Sequence, residues 1–243
     1  MITFDGRKIV VVGGGSGIGL AGAEMLAGLG AAVFVADKDP ASEPRLPAGT
    51  GFAACDATRP EEVEAMLAAA EAAMDGIDGL FITVGGAALG PLAEMDLPAW
   101  NREIGFNLDS VYITCRAALP FLAKAPKSAI VTTSSGYAVM AGTDRAAYTA
   151  AKAGVIAFSR SLSMIAAPQR TRVNCIAPGP TDTPRFRAMN GGDEGVEKVR
   201  RSMPLGEIPT PADCAKLAIF LLSDAAGQIT GQTVHVNGGL VLP

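Results

Sequence analysis

Tyr148 and Lys152 stand four residues apart in Tyr148-Thr149-Ala150-Ala151-Lys152. On a helix that spacing puts a phenol and an ammonium on one face, one turn apart. A tyrosine, with a reference pKa of about 10, is a poor base near neutrality. A neighbouring cation favours the phenolate and lowers that pKa, so Lys152 would make Tyr148 a general acid/base for a hydroxyl or carbonyl. Upstream lie Ser134 and Ser135. A hydroxyl from Ser135 can hydrogen-bond a reacting oxygen and stabilise developing charge. The same tyrosine and lysine, taken alone, read equally well as a surface tyrosine beside a solvated lysine. A glycine-rich turn at residues 13–19 and an aspartate at the end of the next apolar run, Asp37, shift the balance towards a site.

Those residues need a frame. Residues 8–12, Lys-Ile-Val-Val-Val, form a β-branched run without alternation, which fits a strand buried on both faces. Similar runs fall at 32–36, 51–55, 80–84, 129–133, 173–177 and 233–236. Helical spacing of apolar residues appears at 20–30, 61–74, 107–122, from Tyr148 through Leu162, and at 211–222. Strands and helices alternate, which predicts an α/β fold: a Rossmann-type, doubly wound parallel sheet of about seven strands with helices on both faces. We expect a single domain over residues 1–243. Residues 181–204, rich in Pro, Gly and charge, lack clear periodicity and are expected to form an irregular lid.

The turn Gly13-Gly14-Gly15-Ser16-Gly17-Ile18-Gly19 lies between the first strand and the first helix. Such a turn lets the backbone approach a phosphate and aims free helix N–H groups at it. Asp37, about 20 residues further on, can accept from an adenosine ribose and would repel a 2′-phosphate. That favours NAD over NADP, although Lys38 beside it could hold the same phosphate. Ligands of open α/β sheets bind at the carboxyl ends of the strands. This rule gathers the glycine turn, Asp37, Asp56, Gly85, Ser135 and Pro178-Gly179 on one edge.

Taken together, these residues resemble the short-chain dehydrogenase/reductase superfamily, in its single-domain branch. The resemblance runs from Gly6 to Gly239. It is carried by Gly13-x-x-x-Gly17-x-Gly19, Ser135, Tyr148-x-x-x-Lys152 with the tyrosine thirteen positions after the serine, and Pro178-Gly179. It implies Asn107, Ser135, Tyr148 and Lys152 as catalytic residues, with Lys152 also on the nicotinamide ribose and Asn107 holding a relay water. It implies cofactor contacts from Gly13, Ser16, Gly17, Ile18, Gly19, Asp37, Asp56, Ala57, Gly85, Tyr148, Lys152, Pro178, Gly179, Thr181 and Thr183, with Asn174 near the nicotinamide side. It also implies a homo-oligomer, tetramer or dimer. Two positions depart from the pattern: Val12 replaces a threonine, and Thr83-Val84-Gly85-Gly86 replaces Asn-Asn-Ala-Gly.

The reading is therefore an oxidoreductase moving a hydride between NAD(H) and a secondary alcohol or ketone. The alternatives are an NADP-dependent 3-oxoacyl-carrier-protein reductase and a non-catalytic dinucleotide-binding regulator. Arg185, Arg187, Lys198, Arg200 and Arg201 in the lid read as a solvated face, or as a site for an acidic substrate or carrier protein. The chain has 243 residues, 49% of them hydrophobic, and a formal net charge of -4, which argues against a nucleic-acid partner. No targeting segment or membrane span is expected. Four scattered cysteines and one histidine, His235, argue against a metal site and for a reducing, cytoplasmic setting. His235 is expected to be a satisfied structural residue. A serine hydrolase is not supported, because no Gly-x-Ser-x-Gly elbow is present.

Overall fold

The computed structural model describes residues 2–242. Its seven strands are β1 (Lys8–Val12), β2 (Ala32–Asp37), β3 (Gly51–Ala54), β4 (Gly79–Ile82), β5 (Ser128–Thr133), β6 (Thr171–Pro178) and β7 (Thr233–Val236). They form one sheet in the order β3-β2-β1-β4-β5-β6-β7, and every pairing is parallel. The chain winds outward from β1 to β3, then returns to β4 on the other side of β1. That reversal is the switch point at which such sheets open a crevice for ligands.

Why the β1 run is apolar throughout follows from the two faces. Ile9 and Val11 pack with Ala23 and Leu26 of α1 (Gly17–Gly28) and with Ala218 and Leu222 of α8 (Pro211–Leu222). Val10 and Val12 pack on the other face, against Leu67 of α2 (Pro60–Met74), Val111 of α4 (Ser110–Leu122) and Val155 of α5 (Ala146–Ala166). Leu26, Leu67 and Leu222 are fully buried, each contributing about 1.5–3 kcal/mol. No helix among the described residues is long and apolar enough to cross a membrane.

Three elements differ from the sequence expectation. β4 leaves the ladder at Ile82, so Thr83 and Val84 belong to the loop above it. The helix expected over 107–122 starts a full segment earlier, with α3 (Leu97–Ile104), capped by the Asp96 side chain and carrying Pro98 in its first turn. It passes through a π-helical stretch, Gly105–Asp109, before continuing as α4. Residues 181–204 are not irregular: they hold α6 (Pro184–Met189) and α7 (Asp193–Ser202). Thr183 caps α6 by accepting from Phe186 N–H, and α7 is too polar in composition to reveal itself by an apolar stripe.

Arg172 ties the far end of the sheet to α8. Its guanidinium donates to the carbonyls of Leu221 (2.6 Å), Leu222 (3.3 Å), Ser223 (2.9 Å) and Ile229 (3.4 Å). These include helix-terminal carbonyls that have no partner within the helix. Arg172→Met is expected to lower stability by about 2–3 kcal/mol. Urea unfolding checks this: the midpoint should fall with the slope unchanged.

Candidate active site

At the carboxyl end of β1 the chain turns through Gly13, Gly14 and Gly15 into α1. Ser16 is the N-cap residue, but its side chain makes no capping bond, and the first turn holds no acidic residue. The first intrahelical bond runs from Leu20 N–H to Ser16 O at 3.1 Å. The N–H groups of Gly17, Ile18 and Gly19 are therefore left for an outside acceptor, which fits an anion such as a dinucleotide pyrophosphate. Thr83 braces this turn by donating to Gly13 O (2.8 Å) and Val12 O (3.1 Å). A hydroxyl from β4's loop thus serves where Val12 carries none. A β-carbon at Gly19 would sit 2.6 Å from that hydroxyl, so helix, turn and loop close-pack only with glycine there.

Asp37, at the end of β2, accepts from Gly15 N–H (2.8 Å) and from Asp39 N–H (3.0 Å). Lys38 points its ammonium at the ring of Phe106, 5.1 Å from the centroid. Asp56 accepts from the Thr58 backbone (2.9 Å) and hydroxyl (2.7 Å), which hold its pKa below the usual carboxylate range. Ala57 beside it is buried. Gly179 follows Pro178 and donates to Val236 O at 2.9 Å, and Thr181 is buried with its hydroxyl on Gly179 O at 3.1 Å. Thr183 lies over the glycine turn: a β-carbon at Gly17 would be 3.5 Å from its methyl. The sheet edge therefore gathers these residues as the sequence led us to expect. Asn174 is the exception. It is fully buried in β6 and spends its amide on Ile229 O (2.8 Å) and Gln232 N–H (3.0 Å), a brace rather than a cofactor contact. His235 likewise differs from expectation, since its buried Nδ1 has no partner among the described residues. No cluster of His, Cys, Asp and Glu among those residues is arranged to hold a metal ion.

The second half of the site forms around Lys152. Lys152 is 3% exposed, and its ammonium donates to Thr133 O at 2.9 Å and Val84 O at 3.3 Å. Gly85 makes room for it: a β-carbon there would meet both Lys152 Nζ (2.6 Å) and Asn107 Oδ1 (2.7 Å). Asn107 is buried within the π-helical stretch, so it is not a helix N-cap. Its Oδ1 accepts from Gly86 N–H at 2.8 Å, and its Nδ2 donates to Gly86 O (3.1 Å) and Glu103 O (3.0 Å). Such π-turns are recurrent at functional sites. Sequence reasoning had no signal for this one beyond Gly105.

The two serines divide the labour. Ser134 donates to Lys152 O at 2.6 Å and is buried. Ser135 accepts from Tyr137 N–H at 3.2 Å. Its hydroxyl acts on the half-buried Tyr148 phenol, pulling that pKa down. Burial is the larger influence and raises the Tyr148 pKa on balance. The opposing cations are Arg185 and Arg145, with Glu103 adding to the rise. The Lys152 ammonium lies over the tyrosine ring, 6.0 Å from its centroid. Burial has depressed Lys152 itself to about 8 from an ordinary 10.5.

A depressed lysine pKa penalises the folded state while the group is charged in both states. Between pH 8 and 10.5 the unfolded chain binds the proton and the folded one does not, so stability rises with pH there. Relative to Lys152→Met, the protein is expected to gain about 3 kcal/mol from pH 7 to above pH 10.5. Denaturation of both proteins across that range checks it, and a flat difference would contradict the buried ammonium.

Residues 13–241 match a family model described as Enoyl-(Acyl carrier protein) reductase. The chain is 34% identical to 2,5-dichloro-2,5-cyclohexadiene-1,4-diol dehydrogenase of Sphingobium indicum, covering 98% of each chain. It is also 34% identical to a 3-oxoacyl-acyl-carrier-protein reductase of Chlamydia trachomatis, covering 96% of this chain and 97% of that one. Its fold is similar to that of Thermoplasma acidophilum aldohexose dehydrogenase, with a TM-score of 0.91, 28% identity, and 98% and 96% of the two chains covered. With the seven-stranded sheet, the glycine turn and the Ser135, Tyr148 and Lys152 cluster already in view, these likenesses lead to one conclusion: the chain belongs to the short-chain dehydrogenase/reductase superfamily, whose members use a nicotinamide dinucleotide, and is an oxidoreductase of alcohol and ketone groups.

Proposed function

We propose that this chain moves a hydride between NAD(H) and a secondary alcohol or its ketone, with Tyr148 as the general acid/base. The observation that carries this reading is the convergence of Ser135, Tyr148 and Lys152 beside Gly85, at the sheet edge that also holds the glycine turn. Bound at that edge, the dinucleotide would accept or supply the hydride. The protein's own groups handle the proton. Ser135 donates to the substrate oxygen, and Tyr148 takes the hydroxyl proton in oxidation or returns it in reduction. Lys152 supports the pair from below, through its hold on Thr133 O and Val84 O. Asn107 fixes the Gly86 peptide that roofs the ammonium.

Asp37 supports NAD. Its carboxylate stands at the end of β2, oriented by Gly15 N–H, where a 2′-phosphate would meet a like charge. Lys38 is drawn to Phe106 instead. We read residues 181–204, with α6 and α7, as the lid, and residues 1–243 as one domain carrying both cofactor and substrate sites. Leu89, Val139 and Met189 are exposed near the loops and lid that would contact substrate, which supports a partly apolar ligand. A homo-oligomer, tetramer or dimer, is supported by the exposed Tyr112, Met164 and Ile165 on α4 and α5. Four unpaired, buried cysteines support a cytoplasmic setting.

A reductase of acyl-carrier-protein esters is the second reading, favoured by the chlamydial relative. Asp37 argues against its NADP dependence. Three of the five lid cations are also already paired with carboxylates. Arg187 is paired with Asp182 and Asp193, and Arg200 and Arg201 with Glu197.

An absorbance assay with NAD and NADP, over sugars, cyclic diols, steroids and hydroxyacyl esters, tests the reading. Tyr148→Phe is expected to lower turnover by about 10²–10⁴. Asp37→Ala is expected to shrink an NAD preference of about a hundredfold towards parity. A native preference for NADP would overturn the role given to Asp37.

A further inference from the structure

The lid arginines are not alike. Arg187, Arg200 and Arg201 each lie within 3.0 Å of a carboxylate and face solvent. Arg185 has no carboxylate partner among the described residues. It reaches down from α6 to the loop above β4 and donates once, to Ala87 O at 2.8 Å. Its guanidinium lies against the α-carbon of Gly86, where any side chain would collide with it. Gly86 is the residue whose peptide Asn107 clamps, and Gly85 before it covers Lys152. Arg185 is therefore held at the rim of the catalytic cluster, near enough for its charge to act on the Tyr148 phenol. The other arginine that acts on Tyr148, Arg145, is already satisfied: it pairs with Asp144 at 2.8 Å and stacks on the Tyr137 ring at 4.1 Å.

We propose that Arg185 is the substrate-recognition residue of this enzyme, binding a carboxylate on the molecule whose hydroxyl or carbonyl meets Ser135 and Tyr148. The substrates are then secondary hydroxy acids and the matching keto acids. A guanidinium presents five donors in a planar fork, and only one is engaged here. The free edge matches a carboxylate through two parallel charge-assisted bonds. One unpaired cation balances one carboxylate, whereas a phosphoryl dianion would leave a charge uncompensated. Glu103 forms no ion pair with Arg185; its Oε2 accepts from Ala88 N–H at 3.2 Å. The bland counterpart is a latch, in which Arg185 only holds α6 to the loop through Ala87 O.

This inference rests on Tyr148 as the acid/base, so the test separates the two. Linear and cyclic secondary hydroxy acids, each beside its methyl ester, are assayed with NAD. Binding of the same compounds to the NADH-loaded protein is measured by calorimetry. We expect kcat/KM for the acid to exceed that for its ester by about ten- to a hundredfold. Arg185→Gln should bring this ratio close to one, and Arg185→Lys, which keeps the charge without the fork, should fall between. In Arg185→Gln the pH profile for a neutral alcohol should also move to higher pH, because a cation that favours the phenolate is gone, while Arg145, Lys152 and Glu103 stay in place. Equal use of acid and ester by the native protein would overturn the proposal, as would a ratio that survives Arg185→Gln. A loss of NAD affinity with the ratio intact would do the same and leave Arg185 as a latch. If nothing is oxidised but the native protein binds the acids and Arg185→Gln does not, the carboxylate site stands and the catalytic reading falls.

Discussion

An ammonium sealed at the carboxyl ends of two strands must find acceptors or lose its charge. Lys152 finds Thr133 O at the end of β5 and Val84 O just beyond β4. Much of the site follows from that requirement. β5 must end where its last carbonyl can turn to the lysine, which delivers Ser134 and Ser135 next. The loop above β4 must pass so close that Gly85 cannot carry a side chain. Asn107 must then hold the next peptide, and a regular helix does not bring it there. The π-helical stretch between α3 and α4 carries it in. Even so, burial takes the lysine down to about 8. The ammonium is thus finely held, and small changes in the roof over it alter its charge.

The cofactor half depends on a different economy of hydroxyls and glycines. The expected pattern has a threonine before the first glycine and asparagines after the fourth strand. Here both places differ, and the differences compensate. Thr83 supplies from one side of the turn the hydrogen bond that Val12 cannot supply from the other. Sequence comparison of either position alone reads as a loss; together they preserve the brace. The turn then leaves three amides at the start of α1 without partners. A helix end of that kind is stable only if water or an anion meets it.

What the sequence conveyed best were features with strong local causes. Short β-branched runs without alternation, such as residues 8–12 and 129–133, fit strands covered on both faces, and the sheet order bears that out. The Tyr148 to Lys152 spacing fixed one helix face. α3 was missed although Asp96 and Pro98 announce a helix start, because its eight residues carry too few apolar positions to show a period. The two lid helices were missed for the same reason. Gly191 and Gly192 separate them, and α7 packs so little that charge dominates its composition. The Lys152 ammonium also turns to the backbone carbonyls of Thr133 and Val84, a contact that spacing along a helix does not report.

The Tyr148 phenol is set by opposing influences. Burial favours the phenol, while Ser135, Arg185 and Arg145 favour the phenolate. Only some of these are fixed. Arg145 is locked by Asp144 and Tyr137, and Ser135 by the turn that follows β5. Arg185 belongs to α6, on a segment that touches the rest of the site through few contacts, of which the bond to Ala87 O is one. α6 therefore carries one of the charges that act on the Tyr148 phenol. Any movement of α6 that lifts Arg185 from the Gly86 loop removes a cation from the phenol and raises its pKa.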